Sequence, residues 1–325
     1  MPEGNHYGSQ LDSRDIIAGF FPKLQTTMED LWSARISIEV PSNREAEEYT
    51  WLGQVPVMRE WVGGRHEEVL NLYTLTIRNH VYEATLPISV EDLRRDKTGM
   101  LRTRVAELAV RTGTHWNTLA ANLIGAGEAG TVGLAYDGQF FYDTDHNESG
   151  TSQSNDLTAT EVPSANVVDA NAPTASEAAN IIVETVSYMM SLTDDRGEPI
   201  NQGPQAVVIL VTKAAHLAAF NSATLLNVLT GSTDNPIRGL REKGWTFEVQ
   251  YSPRITAANK VYFNIGNPEL GGAPLIRQIE TEVETQLEGA GSHEEMRNNR
   301  HVFGVKAVRG IGYGMWQRAA LVTLS

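Results

Sequence analysis

The sequence predicts an α+β protein organised around one long helix. Three observations carry this. Leu101, Val105, Leu108, Thr112, Trp116, Leu119 and Leu123 recur at spacings of three and four, the period of an amphipathic helix. Ahead of them, residues 73–77 and 81–86 alternate apolar and polar side chains with the period of two that a strand requires. Beyond residue 174, helical and strand patterns alternate.

Each element follows from local chemistry. Residues 1–48 read as an arm. Ile16, Phe20, Phe21, Leu24 and Leu31 give it some helical periodicity, which Pro22 is expected to interrupt. Residues 49–88 read as a β-ribbon, with Arg78, Asn79 and His80 suited to a tight turn between the two alternating runs. Ser89 and Asp92 resemble a capping box that opens the helical stretch. After Gly99 comes the long helix, about 25 residues and so about 37 Å, ended by Gly125, Gly127 and Gly130. Residues 147–173 are poor in large apolar side chains and form the best internal boundary. Thr174 and Glu177 form a second capping box, with Ile181, Ile182, Val186, Met189 and Met190 on one helical face. Residues 206–212 read as a buried strand, 214–220 as a short helix, and 245–251, 260–265 and 273–279 as further strands. Residues 302–307 and 312–324 read as two closing strands.

Composition narrows the function. The chain has 325 residues, 41% of them hydrophobic and 20% charged, enough for one large domain or two smaller ones. Nothing approaches the roughly 20 apolar residues of a membrane span, and the first fifteen residues lack the basic and apolar regions of a signal peptide. A soluble protein made in a cytoplasm is expected. The absence of cysteine excludes disulfides, thiolate nucleophiles and Cys-ligated metals. A net charge of −14 argues against a dedicated nucleic-acid binder and means that self-association would rest on shape and apolar contact.

Few residues suggest chemistry. Gly125, Gly127 and Gly130 match the text of a dinucleotide fingerprint, but they follow a helix instead of opening one, so a helix stop is the better reading. Asp143, Asp145 and His146 form the one metal-like cluster, with His66, His80 and His115 as distant partners. Asx turns explain the same residues without a ligand. No hydrolase, zinc-protease or phosphate-loop motif occurs, so no catalytic residue, cofactor or metal is assigned. Residues 51–64 hold two Trp, a Met and several Val around a glycine pair. They read either as a hairpin folded onto its own domain or as a loop buried on another subunit.

The run Glu48-Tyr-Thr-Trp-Leu-Gly-Gln-Val-Pro-Val-Met-Arg-Glu-Trp-Val-Gly63 resembles the major head subunit family of Mu-like phages. Tyr136-Asp-Gly-Gln-Phe-Phe-Tyr-Asp-Thr-Asp-His146 is similar to a second stretch of that family. Phe303-Gly-Val-Lys-Ala307 and Gly312-Tyr-Gly-Met-Trp-Gln317 are similar to its closing strands. The resemblance implies the Hong Kong 97 capsid fold: an N-terminal arm (1–48), an extended E-loop (49–88), a peripheral domain with a spine helix (89–160), an axial domain (161–290) and closing peripheral strands (291–325). It implies a shell protein that forms hexamers and pentamers around packaged DNA, with Trp51, Met58, Arg59, Trp61, Arg65 and Tyr73 at contacts between subunits. An arm this short implies a separate scaffolding protein; a portal and a cement protein complete the expected partners. The expected place is the virion capsid, assembled in the host cytoplasm. A nanocompartment shell of the same fold and a metal-dependent hydrolase built on Asp143, Asp145 and His146 are the alternatives.

Some shells of this fold join an E-loop lysine to a neighbour's asparagine. Here Lys23 is followed next by Lys97, so the ribbon has no amine to attack an amide, and arginine stays protonated. Particles boiled in detergent should therefore run as a single band at 35.7 kDa; a ladder of dimers through hexamers would contradict this.

Overall fold

The computed structural model describes residues 18–49, 74–95, 99–148, 150–225, 228–229, 233–266 and 272–325. Helix α1 (Phe20–Glu29) buries Phe20 and Leu24. Strand β1 (Ser37–Pro41) follows. Strand β2 (Ala46–Tyr49) pairs antiparallel with β3 (Leu75–Arg78). Strand β4 (His80–Ser89) leads to helix α2 (Met100–Gly125), whose 26 residues reach about 39 Å. Val105, Ala109, Trp116, Ala120, Leu123 and Ile124 lie on the buried side of α2.

A short strand β5 (Asp156–Leu157) precedes helix α3 (Ala175–Ser191). The α3 capping box is complete: Glu177 N donates to Thr174 Oγ1 at 3.2 Å, and Thr174 N donates to Glu177 Oε2 at 2.7 Å. Strand β6 (Ala206–Val211), helix α4 (Ala214–Leu225) and strand β7 (Thr246–Tyr251) make a β–α–β unit, with β6 and β7 parallel. Strands β8 (Lys260–Gly266), β9 (Leu275–Glu288), β10 (Arg300–Tyr313) and β11 (Ala319–Thr323) complete the fold.

The strands form two principal sheets. One has the order β1-β9-β10-β4, with β1 parallel to β9 and the other pairs antiparallel. Strand β4 sits at its edge, where Pro87 costs no ladder bond. The other has the order β7-β6-β8-β11-β5. This second sheet is buried on both faces. Val207, Ile209 and Val211 face a core with Ile181, Ile182 and Phe220. Val208 and Leu210 face the opposite way, onto a core with Leu123 and Ile124 of α2, Tyr142, Tyr262 and Trp316. A third cluster packs α1 and α2 on the four-stranded sheet through Phe20, Leu24, Val105, Ala109, Phe303 and Val305. Among the described residues, no helix is long and apolar enough to cross a membrane.

Two local expectations change. Pro22 does not interrupt the first helix; it sits in the first turn, where a missing N–H costs nothing. Arg78, Asn79 and His80 do not close a hairpin, because β3 pairs with β2 while β4 pairs with β10. Within residues 147–173, Leu157, Val162 and Ala165 are fully buried, and β5 pairs with β11. The closing strands part company, since β10 belongs to the four-stranded sheet and β11 to the five-stranded one. The expected boundary near residue 290 falls at the turn between paired strands β9 and β10.

Phe263 lies in the middle of the two-sided sheet with no exposed surface. Phe263→Ala should cost about 3–5 kcal/mol, read as a lower urea midpoint with an unchanged slope.

Candidate assembly surface

The six residues that sequence reasoning placed at contacts, Trp51, Met58, Arg59, Trp61, Arg65 and Tyr73, lie outside the described residues. The structure defines the base from which their segment departs and to which it returns. Tyr49, opposite Leu75 in the β2–β3 register, is 5% exposed. Its hydroxyl donates to Gln278 Oε1 at 2.8 Å, and Gln278 Nε2 donates to Ile77 O at 3.4 Å. Tyr49, Ile77 and Ile276 form a small apolar cluster of their own. Close approach to β10 needs glycine. A Cβ on Gly310 would stand 2.6 Å from Arg78 O, and one on Gly312 would stand 2.5 Å from Ile77 Cδ1. Asn79 then turns the chain into β4: its N–H donates to Glu45 O at 2.8 Å, and its Nδ2 donates to Arg44 O at 2.8 Å and Ser42 Oγ at 2.9 Å. The base of the ribbon is thus pinned to the four-stranded sheet by side chains from three strands.

Beside this base runs a groove of about 850 Å³, walled by β3, the C-terminal end of α2 and residues 132–138. Val132, Leu134 and Phe140 are exposed there or next to it. A second cleft, of about 450 Å³, lies between α2 and strands β4 and β10. Two guanidiniums lie over the ring of buried Trp116: Arg277 Cζ is 5.2 Å and Arg309 Cζ 4.9 Å from the ring centroid. Arg277 has partners, donating through Nε to Ser37 Oγ at 2.8 Å and pairing with Glu39 at 3.0 Å. Burial lowers the Arg309 pKa to about 10, with nearby Tyr82 and Glu282 opposing the shift, so the group stays cationic at neutral pH. Burial, then Arg309 and Arg254, lower His115 to about 4. Its ring packs edge-on against Tyr82 at 4.5 Å.

The Asp143, Asp145 and His146 cluster is a structural joint. His146 is fully buried and stacks on Trp316, with ring centroids 4.0 Å apart and planes 4° apart. Its Nδ1 is 2.6 Å from Asp137 Oδ2 and its Nε2 is 3.2 Å from Asn155 Oδ1. Asn155 also donates to Phe141 O at 2.8 Å and Trp316 O at 3.2 Å, and accepts from Asp143 N at 2.9 Å. Both ring nitrogens are thus engaged inside the fold, while Asp145 is exposed. His80 starts β4, and His115 faces the α2 cleft instead. Sequence reasoning missed the roles of Asp137 and Asn155 here and of Arg309 in the cleft. For Arg309 the signal was available, because alternation from Phe303 through Val305 and Ala307 puts Arg309 on the apolar face.

His115 makes stability depend on pH. Its folded pKa is depressed below the ordinary 6.5, so the neutral ring stabilises the fold above pH 6.5 and that contribution is lost as pH falls toward about 4. His115→Gln should flatten that part of the profile, measured as urea midpoints from pH 7 to pH 4.

Residues 16–176 match the model of the Mu-like prophage major head subunit gpT family. The major head subunit of the Mu-like prophage FluMu of Haemophilus influenzae is 33% identical over 141 residues, 42% of this chain and 44% of that protein. This chain therefore spans less than half the length of that relative. The capsid of cyanophage P-SCSP1u superposes with a TM-score of 0.55 at 8% identity, over 89% of this chain and 86% of its own. The procapsid of bacteriophage JBD30 does so with a TM-score of 0.50 at 20% identity, over 95% and 73%. The chain thus has the Hong Kong 97-type capsid fold, and its residues 16–176 are similar to the Mu-like prophage major head subunit family.

Proposed function

We propose that this chain is the major head subunit of a tailed double-stranded DNA phage, assembling with its own copies into the hexamers and pentamers of an icosahedral shell. The observation that carries the reading is the head-subunit family match, on a chain with a capsid fold. A nanocompartment shell would share the fold but not that match. The hydrolase reading has lost its imidazole, which is held by Asp137 and Asn155.

In this reading, residues 50–73 are the working part of the E-loop. Trp51, Met58, Trp61 and Tyr73 supply apolar anchors, and Arg59 and Arg65 pair with acidic neighbours. Pinning of β2–β3 by Tyr49, Ile77 and Gln278 supports that role, because a loop that carries force between subunits needs a stiff root. Helix α2 is the spine, and the five-stranded sheet is the axial module packed about the capsomer axis. Contacts repeated around a ring multiply weak pairwise terms into a stable shell. A separate scaffolding protein, a portal and a cement protein are the partners, and assembly takes place in the host cytoplasm. Contact with the genome is weak and independent of sequence, because a charge of −14 per subunit leaves no reservoir of cations.

Trp61→Ala tests the reading. Losing a buried Trp anchor costs about 2–4 kcal/mol per contact, and the loss recurs at every subunit. The variant should remain soluble and unfold cooperatively yet form no shells by electron microscopy, under conditions in which the native chain assembles. If the variant unfolds instead, Trp61 belongs to the subunit core.

A further inference from the structure

The α2 cleft contains a cation without a counter-ion. Arg309 is 4% exposed, and its guanidinium has no hydrogen-bond or ion-pair partner among the described residues. Each nearby carboxylate is engaged or remote. Glu107 pairs with Arg104 at 3.0 Å, Glu83 accepts from Thr85 Oγ1 at 2.8 Å, and Glu282 acts on Arg309 only at longer range. Arg111, exposed at the mouth, adds a second cation with no partner among the described residues. His115 and the Tyr82 hydroxyl, both polar and uncharged at neutral pH, line the same wall. Leu86, Leu108 and Val305 add apolar wall, and Lys306, a further cation, also lines the cleft. Leaving a charge buried and unpaired is costly, and the cost is recovered when an anion arrives.

We propose that this cleft is an oxyanion site and that its ligand is a carboxylate side chain brought by a second copy of the chain. Charge complementarity selects the source. The chain carries 40 acidic residues against 26 basic ones, so a second copy presents carboxylates at almost any approach. The cleft also runs along β4, the edge strand of its sheet, where a neighbour can lie alongside. The source, though not the site, rests on the shell reading.

The experiment uses the full chain, wild type and Arg309→Met, which keeps apolar cover over Trp116 and removes the charge. Glutarate serves as the carboxylate probe, with chloride at matched ionic strength as the control. Glutarate should raise the melting temperature of the wild-type subunit and leave that of R309M unchanged. Without ligand, R309M should melt no lower than wild type, because it has lost an unpaired buried charge. It should nevertheless need roughly tenfold more protein to assemble, as expected when one partner of an interfacial charge pair is removed. Arg111→Gln, at the exposed mouth, should shift both readouts in the same direction but less. A wild-type subunit indifferent to glutarate overturns the site. So does a lower melting temperature for R309M, which would make Arg309 a purely structural residue. Stabilisation by inorganic phosphate but not by glutarate overturns the carboxylate, and unchanged assembly of R309M overturns the second copy as its source. A wild-type chain that never assembles counts against the shell reading, and the glutarate comparison still decides the site.

Discussion

The seam between helix α2 and the inner face of the five-stranded sheet holds the two halves of the molecule together. Leu123 and Ile124 meet Val208, Leu210 and Leu321 there, with Tyr142, Tyr262 and Trp316 filling the space between. Everything else hangs on this contact. The far end of α2 is free to lie on the four-stranded sheet, so one rigid rod spans both modules. Two polar groups cross-link the seam: the Tyr313 hydroxyl donates to Leu123 O at 2.8 Å, and Asn155 ties Phe141 to Trp316. A molecule fastened in this way is stiffened along α2.

Much of this was legible in the sequence wherever one period dominates. The long helix, the Thr174–Glu177 capping box and the strand at 206–211 were each set by local pattern, and tertiary packing agreed with it. What failed was partner choice. Alternation in residues 75–78 and 81–86 announces strands but not which strand lies beside them, and the polar triplet at 78–80 looked like a hairpin turn. Asn79 in fact redirects the chain between sheets through hydrogen bonds to residues more than thirty positions earlier, information that no local window holds. Pro22 misled for the opposite reason: its effect depends on its distance from the helix start, which the sequence leaves open by a residue or two. Of the candidate surface, the apolar richness of residues 51–64 could be read directly. The inward face of Arg309 could be read from the alternation of its strand, but its ion pairing could not, because which arginine beside Trp116 finds a carboxylate is settled only by the packing of α2 on the sheet.

Electrostatics gives the surface and the interior opposite tendencies. Excess carboxylates keep free subunits apart at long range, while Arg277 and Arg309 concentrate positive charge beneath the long helix. Arg277 pairs with Glu39; Arg309 makes no ion pair among the described residues.

Strand β11 lies between β8 and β5, with Leu321 opposite Asp156, a partner 165 residues earlier in the chain. Its neighbours emerge from the ribosome long before it does. Until β11 is made, the five-stranded sheet has a vacant slot with unpaired backbone on both sides, and the seam that relies on Leu321 is incomplete. A nascent chain therefore cannot close this sheet until its β11 segment has been made, and folding of the sheet is tied to a contact of high sequence separation.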